Sequence, residues 1–240
     1  MSKIIQGEGL VKRFGGHTAV NNVTFDVNEG EILGLIGPNG AGKTTLFNLI
    51  SGALTIDSGT IMLNDKKISG MKADKICHLG LARTFQAAKN FKGMSVRDNV
   101  LMGALFGTTR ESRSEAEADV DRIIDFVGLT EYTNSAVSDI PLAGQKQLEV
   151  ARALATKPQV IMLDEVMAGL NSAEVETAMD LVKRIRDTGI TIVMIEHVMK
   201  AIMSICDRII VLHHGELIAE GPPEKISTSK QVIEVYLGEV

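Results

Sequence analysis

The 240-residue sequence has no long hydrophobic run, only two cysteines and no concentration of basic charge. No stretch approaches the ~18 uncharged apolar residues that a membrane-spanning helix needs. The most apolar stretches, Val160 to Leu163 and Ile190 to Ile195, are short and β-branched, and read as buried strands. No signal peptide is expected, because Ile4-Ile5 runs at once into Gln6-Gly7-Glu8. The protein is therefore expected in the cytosol or on a cytosolic membrane face. Cys77 and Cys206 lie far apart, match no metal spacing and read as two small buried hydrophobes. The formal net charge is −5, with Lys and Arg spread along the chain. A nucleic-acid footprint would cluster them. No internal repeat is present.

The remainder is ordinary for a soluble domain: 45% hydrophobic and 23% charged residues, at a length that fits one globular unit. Ile32 to Ile36 is an apolar strand that enters a glycine loop, and a helix is expected from about Lys43 to Gly52. Ile61 to Leu63 is a further strand between turn signals. From Val96 to about Lys157 the β-branched runs thin out and amphipathic helical patterns dominate. Within it, Thr108 to Asp121 reads as a solvated loop and helix start. Strands return at Val160 to Leu163, Ile190 to Ile195 and Arg208 to Leu212, separated by helical stretches at Ala173 to Asp187 and Val198 to Ile205. That alternation predicts a largely parallel sheet. The fold class is α/β, with a helical insertion between two halves of the core.

Gly37-Pro-Asn-Gly-Ala-Gly-Lys-Thr-Thr45 fits G-x-x-x-x-G-K-[ST] between a strand and a helix. Glycines let backbone N–H groups wrap phosphate oxygens, and the following helix aims its positive end at the same anion. Asn39, Gly40, Ala41, Gly42, Lys43, Thr44 and Thr45 are the candidate phosphate cradle. Lys43 puts a charge on the β/γ-phosphates, and Thr44 offers a hydroxyl to Mg²⁺. A glycine turn beside a surface lysine is the plain alternative, and the strand–loop–helix context argues against it. Further on, Val160-Ile-Met-Leu-Asp164-Glu165 is an apolar strand ending in two acids, at the end where α/β sheets bind ligands. Asp164 suits Mg²⁺, directly or through water, and Glu165 suits polarising an attacking water. Alone, this would be a strand leaving the core; beside a phosphate loop it reads as chemistry.

From about residue 3 to its end the chain resembles the ATP-binding cassette of ABC transporters. The phosphate loop corresponds to Walker A and Val160 to Glu165 to Walker B. Arg83-Thr-Phe-Gln86 resembles the Q-loop, Ala168-Gly-Leu-Asn171 the D-loop and Ile195-Glu-His197 the switch region. The resemblance implies a P-loop NTPase core with a mostly parallel sheet, an N-terminal antiparallel β subdomain and an inserted α-helical subdomain. Residues 1–86 and 158–240 would form the core, and 87–157 the helical part. It implies that Phe14 stacks on adenine, with Val20 also at the nucleotide, that Gln86 senses Mg²⁺ and γ-phosphate, and that His197 contacts γ-phosphate. Lys43, Glu165 and His197 would be catalytic, and Thr44, Gln86 and Asp164 would serve the metal. Taken singly, Gln86 would be a surface amide, His197 a helix-start histidine and Phe14 a core residue.

Val11-Lys-Arg-Phe-Gly-Gly16, the phosphate loop extended to Asn48, Gly80 to Gln86 and Val235-Tyr-Leu-Gly-Glu239 narrow the likeness. They resemble the branched-chain amino acid uptake subfamily, in particular the first of its two ATPase subunits. Such systems imply ATP and Mg²⁺, a second ATPase subunit, two permeases and a periplasmic binding protein. They also imply a peripheral site on the cytoplasmic membrane face, with permease contacts near Phe85 to Met94. The family signature L-S-G-G-Q departs most: counting back from Ala151-Arg-Ala-Leu154 reaches Ile140-Pro-Leu-Ala-Gly144, or Leu142 to Gln145 with one deletion. Either way its serine is missing, a loss of about 1.5–3 kcal/mol if that donor served a phosphate. Val166 replaces a usual proline. In a heterodimer, this chain's own ATP site would then be complete and the site it lends its partner weakened. Competing readings are an ABC ATPase for urea, amides or lipopolysaccharide export, a soluble non-transport ABC ATPase, and a P-loop kinase.

Overall fold

In the computed structural model, residues 2–84, 90–91, 93–107 and 113–237 are described. In chain order the elements are β1 (Lys3–Phe14), β2 (His17–Asn28), β3 (Ile32–Ile36), α1 (Lys43–Ile50), β4 (Ser58–Leu63), β5 (Lys66–Lys67), α2 (Ala73–His78) and β6 (Leu81–Arg83). Then come α3 (Val96–Leu105), α4 (Arg113–Val127), α5 (Leu142–Ala155), β7 (Val160–Asp164), α6 (Ser172–Asp187) and β8 (Thr191–Ile195). The chain closes with α7 (Met199–Ile205), β9 (Arg208–His213), β10 (Glu216–Gly221), α8 (Pro223–Ser227) and α9 (Lys230–Leu237). No described helix is long and apolar enough to cross a membrane.

The chain divides into two compact units, one holding the residues up to Ile76 and from Thr191 onward, the other Cys77–Ile190. In the first, β2-β1-β4-β5 form an antiparallel sheet. A second sheet carries the order β10-β9-β3-β8, with β3 parallel to both neighbours and β10 antiparallel to β9. Every residue of β3 and β8 is buried. Continuous apolar strands of this kind arise where a parallel sheet is covered on both faces. Cys206 belongs to this core: its sulfur lies 2.9 Å from where a Cβ on Gly34 would stand. Burial pushes its thiol up to about 12. Thiolate is the reactive form, so in native protein at pH 8 only the half-buried Cys77 should react with a thiol reagent. Denaturation should release a second equivalent, and two native equivalents would contradict this packing.

In the second unit, β6 and β7 pair in parallel, Leu81 opposite Val160 and Arg83 opposite Met162. Helices α3, α4 and α5 pack on one another, and α5 also meets β6 and β7. Between β6 and β7 the described chain holds helices and no strand, as the loss of β-branched runs predicts. α6 starts at a reciprocal cap: Asn171 accepts from the amides of Ala173 and Glu174, while Glu174 accepts from the Asn171 amide. β3 falls where expected, and other strand and helix ends shift by at most three residues, the widest being β4, which begins at Ser58 and not Ile61.

Candidate nucleotide site

β3 ends at Ile36 and the chain turns sharply into the phosphate loop. Gly37 adopts φ 153°, and a Cβ there would sit 2.2 Å from the Leu212 carbonyl oxygen. Gly42 adopts φ 102° just before α1, where a Cβ would fall 2.4 Å from the Ala19 carbonyl oxygen. Both are positions only glycine fills without displacing backbone. Lys43 is 7% exposed, and its ammonium donates to the carbonyls of Gly37 (2.7 Å) and Pro38 (3.0 Å). The loop is thus tied around the charge that a phosphate would meet. Asn39, Gly40 and Thr44 are exposed, Thr45 half-buried, and Ala41 buried with its carbonyl accepting from Gly215. Gly42→Ala forces the loop off Ala19, a strain of about 1–3 kcal/mol. Nucleotide affinity should then fall about 5- to 150-fold. Unchanged affinity in a nucleotide titration would show that the loop does not bind phosphate in this shape.

His197 belongs to the same unit. Leu35 pairs with Ile195 in the parallel register of β3 and β8. Gly37 and His197 therefore lie level, each two residues beyond the last pair, and His197 is exposed. Val20 is fully buried in β2, next to Ala19, whose carbonyl abuts Gly42. Phe14 is 47% exposed at the tip of the β1–β2 hairpin, with the Lys12 ammonium 5.5 Å from its ring centre. An aromatic face open at one side and backed by a cation is suited to stacking.

In the second unit, β7 delivers Asp164 and Glu165. Asp164 is 1% exposed, and one carboxylate oxygen accepts from Arg83 at 2.7 Å. Its amide donates to the Thr84 hydroxyl at 2.9 Å, which holds β6 and β7 together past the last paired residues. The other oxygen, Oδ1, is buried and has no hydrogen-bond partner among the described residues. A buried carboxylate oxygen left open in this way fits a Mg²⁺ hydrate, a hard cation that takes one or two carboxylates and keeps several waters. Glu165 is half-buried with φ 52°, left-handed and uncommon for a residue with a side chain.

Residues 20–168 match the ABC transporter family, and residues 216–240 match the branched-chain amino acid ATP-binding cassette transporter family. This chain is an ABC transporter ATP-binding subunit. It is 40% identical to the high-affinity branched-chain amino acid transport ATP-binding protein LivG of Salmonella typhimurium, over 96% of both chains. Against the protein of that description named BraF, from Pseudomonas aeruginosa, identity is 39% over 98% of both. A solved ATP-binding cassette of an ABC transporter in its ADP conformation superposes with a TM-score of 0.91 over 100% of both chains, at 30% identity.

Two features of this ATPase are not legible as site residues in the sequence. Arg83 is the buried counter-ion of Asp164, with 7% of its side chain exposed. Tyr236, in the tail that resembles the subfamily, is 41% exposed and lines a cavity with Met199, Met203, Ile226 and Val232. Burial raises its pKa, and the nearby Gly37 backbone partly offsets this. The first turn of α5, where the signature falls, has Pro141 at its cap and no side-chain cap bond. The missing serine therefore has no substitute from the cap residue. Gln86, Phe85 and the rest of 85–89, Lys92 and the tail beyond Leu237 lie outside the described residues.

Proposed function

We propose that this ATPase powers the uptake of branched-chain amino acids through a membrane complex. The supporting observation is likeness along the whole chain to LivG and BraF, including the matched tail. Lys43 and the loop amides hold the β- and γ-phosphates, with Phe14 and Val20 toward the base. Thr44 and Asp164 hold Mg²⁺, joined by Gln86 on the strength of the family resemblance. When bound, that ion neutralises charge on the phosphates. Glu165 orients and polarises the attacking water, and His197 contacts the γ-phosphate. The protein's part is positioning and electrostatic stabilisation, which is what phosphoryl transfer requires.

ATP closes a dimer of two ATPase subunits, hydrolysis releases it, and the two attached permeases follow. The core of residues 1–86 and 158–240 performs the chemistry. The helical part, 87–157, docks the permeases at the cytoplasmic membrane face. Among its described residues, Phe91 (43% exposed) and Met94 (37%) offer apolar surface for that contact. A periplasmic binding protein supplies solute from the other side. The test is ATPase activity of the reconstituted complex with its binding protein, screened over leucine, isoleucine, valine and urea. Stimulation by the three branched-chain amino acids is expected, and stimulation by urea alone would overturn the cargo assignment.

A further inference from the structure

Glu165 carries its chemistry on an unusual backbone. Left-handed φ for a residue with a side chain is strained and persists only where neighbours enforce it. One neighbour is visible. The carbonyl oxygen of Glu165 accepts from the Ala168 amide at 3.2 Å, which closes a tight turn. The same oxygen accepts from the ammonium of Lys146, also at 3.2 Å. Lys146 is on α5 and only 8% exposed.

The surroundings of Lys146 are mostly apolar, with one carboxylate, Glu174, among them. With Val150, Val166, Leu170, Leu181 and Val182 it lines a cavity of ≈ 90 Å³. Long apolar side chains fill such walls at lower cost than a desolvated ammonium. What the ammonium has that a Met or Leu lacks is a charge-assisted bond to one carbonyl. That carbonyl fixes ψ of Glu165, and ψ together with the left-handed φ fixes the backbone from which its carboxylate projects.

We propose that Lys146 is a positioning residue for Glu165: from α5 it pins the Glu165 peptide and so aims the carboxylate at the attacking water. Its role is assigned through the Glu165 backbone and not through a contact of its own with nucleotide. The inference rests on the reading of Glu165 as the water-polarising group. It predicts that turnover depends on Lys146 while nucleotide binding does not.

The test uses the assembled complex carrying Lys146→Met, Lys146→Arg or Glu165→Gln, with kcat, KM for ATP and melting temperature measured for each. Lys146→Met fills the same volume without the donor. A base displaced by a fraction of an ångström should lower kcat by about tenfold with KM changed less than about twofold. Its melting temperature should hold or rise. Lys146→Arg keeps a cationic donor and should recover most of the lost kcat. Wild-type kcat in Lys146→Met, beside an inactive Glu165→Gln, overturns the inference alone. So does a joint loss of kcat, ATP affinity and melting temperature that arginine does not rescue, which marks a merely structural lysine. Undiminished turnover in Glu165→Gln instead removes the reading of Glu165, and this inference falls with it.

Discussion

Glu165→Gln is expected to lower turnover by about 10²–10⁴-fold, the range for removing a general base, while ATP affinity stays near wild type. The split follows from what each residue does. On the proposed function, phosphate binding rests on the loop and on Lys43, whose ammonium is already tied to Gly37 and Pro38. Glutamine keeps the volume and the backbone of Glu165 but cannot accept a proton. A nucleotide titration and a turnover assay on the same preparation check both halves. Equal losses of affinity and turnover would assign Glu165 to binding and move the water-polarising role elsewhere.

The second large effect is on stability. Arg83 and Asp164 are a buried ion pair at 2.7 Å, with 7% and 1% of their side chains exposed. Removing the arginine leaves a desolvated carboxylate without its cation. Breaking one partner of such a pair typically costs about 3–5 kcal/mol, far more than the pair itself contributes over an apolar substitute. Arg83→Met should therefore lower stability by about that amount, read by chemical denaturation. Arg83→Met combined with Asp164→Asn should recover much of it, because no orphan charge remains. The double variant should still fail to hydrolyse ATP, having lost the carboxylate whose Oδ1 has no hydrogen-bond partner among the described residues. Arg83→Met as stable as wild type would mean that the pair is solvated in solution.

How much of this the sequence carries differs from element to element. The buried strands Ile32–Ile36 and Thr191–Ile195 are legible because parallel strands covered on both faces are uninterrupted apolar runs. The phosphate loop is legible because its glycines, lysine and threonine stand at fixed offsets in one short segment. β1 is not legible from alternation. Its pairing with β2 shifts register between Gly7 and Leu10, and Gly9 sits at φ 58°, so the two-residue period is broken. There the family resemblance supplies what periodicity does not. The Arg83–Asp164 pair is 81 residues apart in sequence. It exists only because β6 and β7 pair in a register that sets Arg83 opposite Met162. Lys146 and Glu165 meet through the packing of α5 beside β7, and the left-handed backbone of Glu165 has no signature in residue type at all. What sequence names is the chemistry-bearing residue; what holds it in place is tertiary.

The missing serine of the signature bears on the whole account. α5 begins after Pro141 with no side-chain cap, so the cap residue supplies no donor in the serine's place. On the proposed function, its own phosphate loop, Asp164, Glu165 and His197 keep the chemistry that the family pattern asks for. The direct test is a pair of matched complexes, one with Glu165→Gln and the other with the equivalent change in the partner ATPase. Loss of most ATPase activity in the first and retention of most in the second is the predicted result. Equal losses in the two would contradict it.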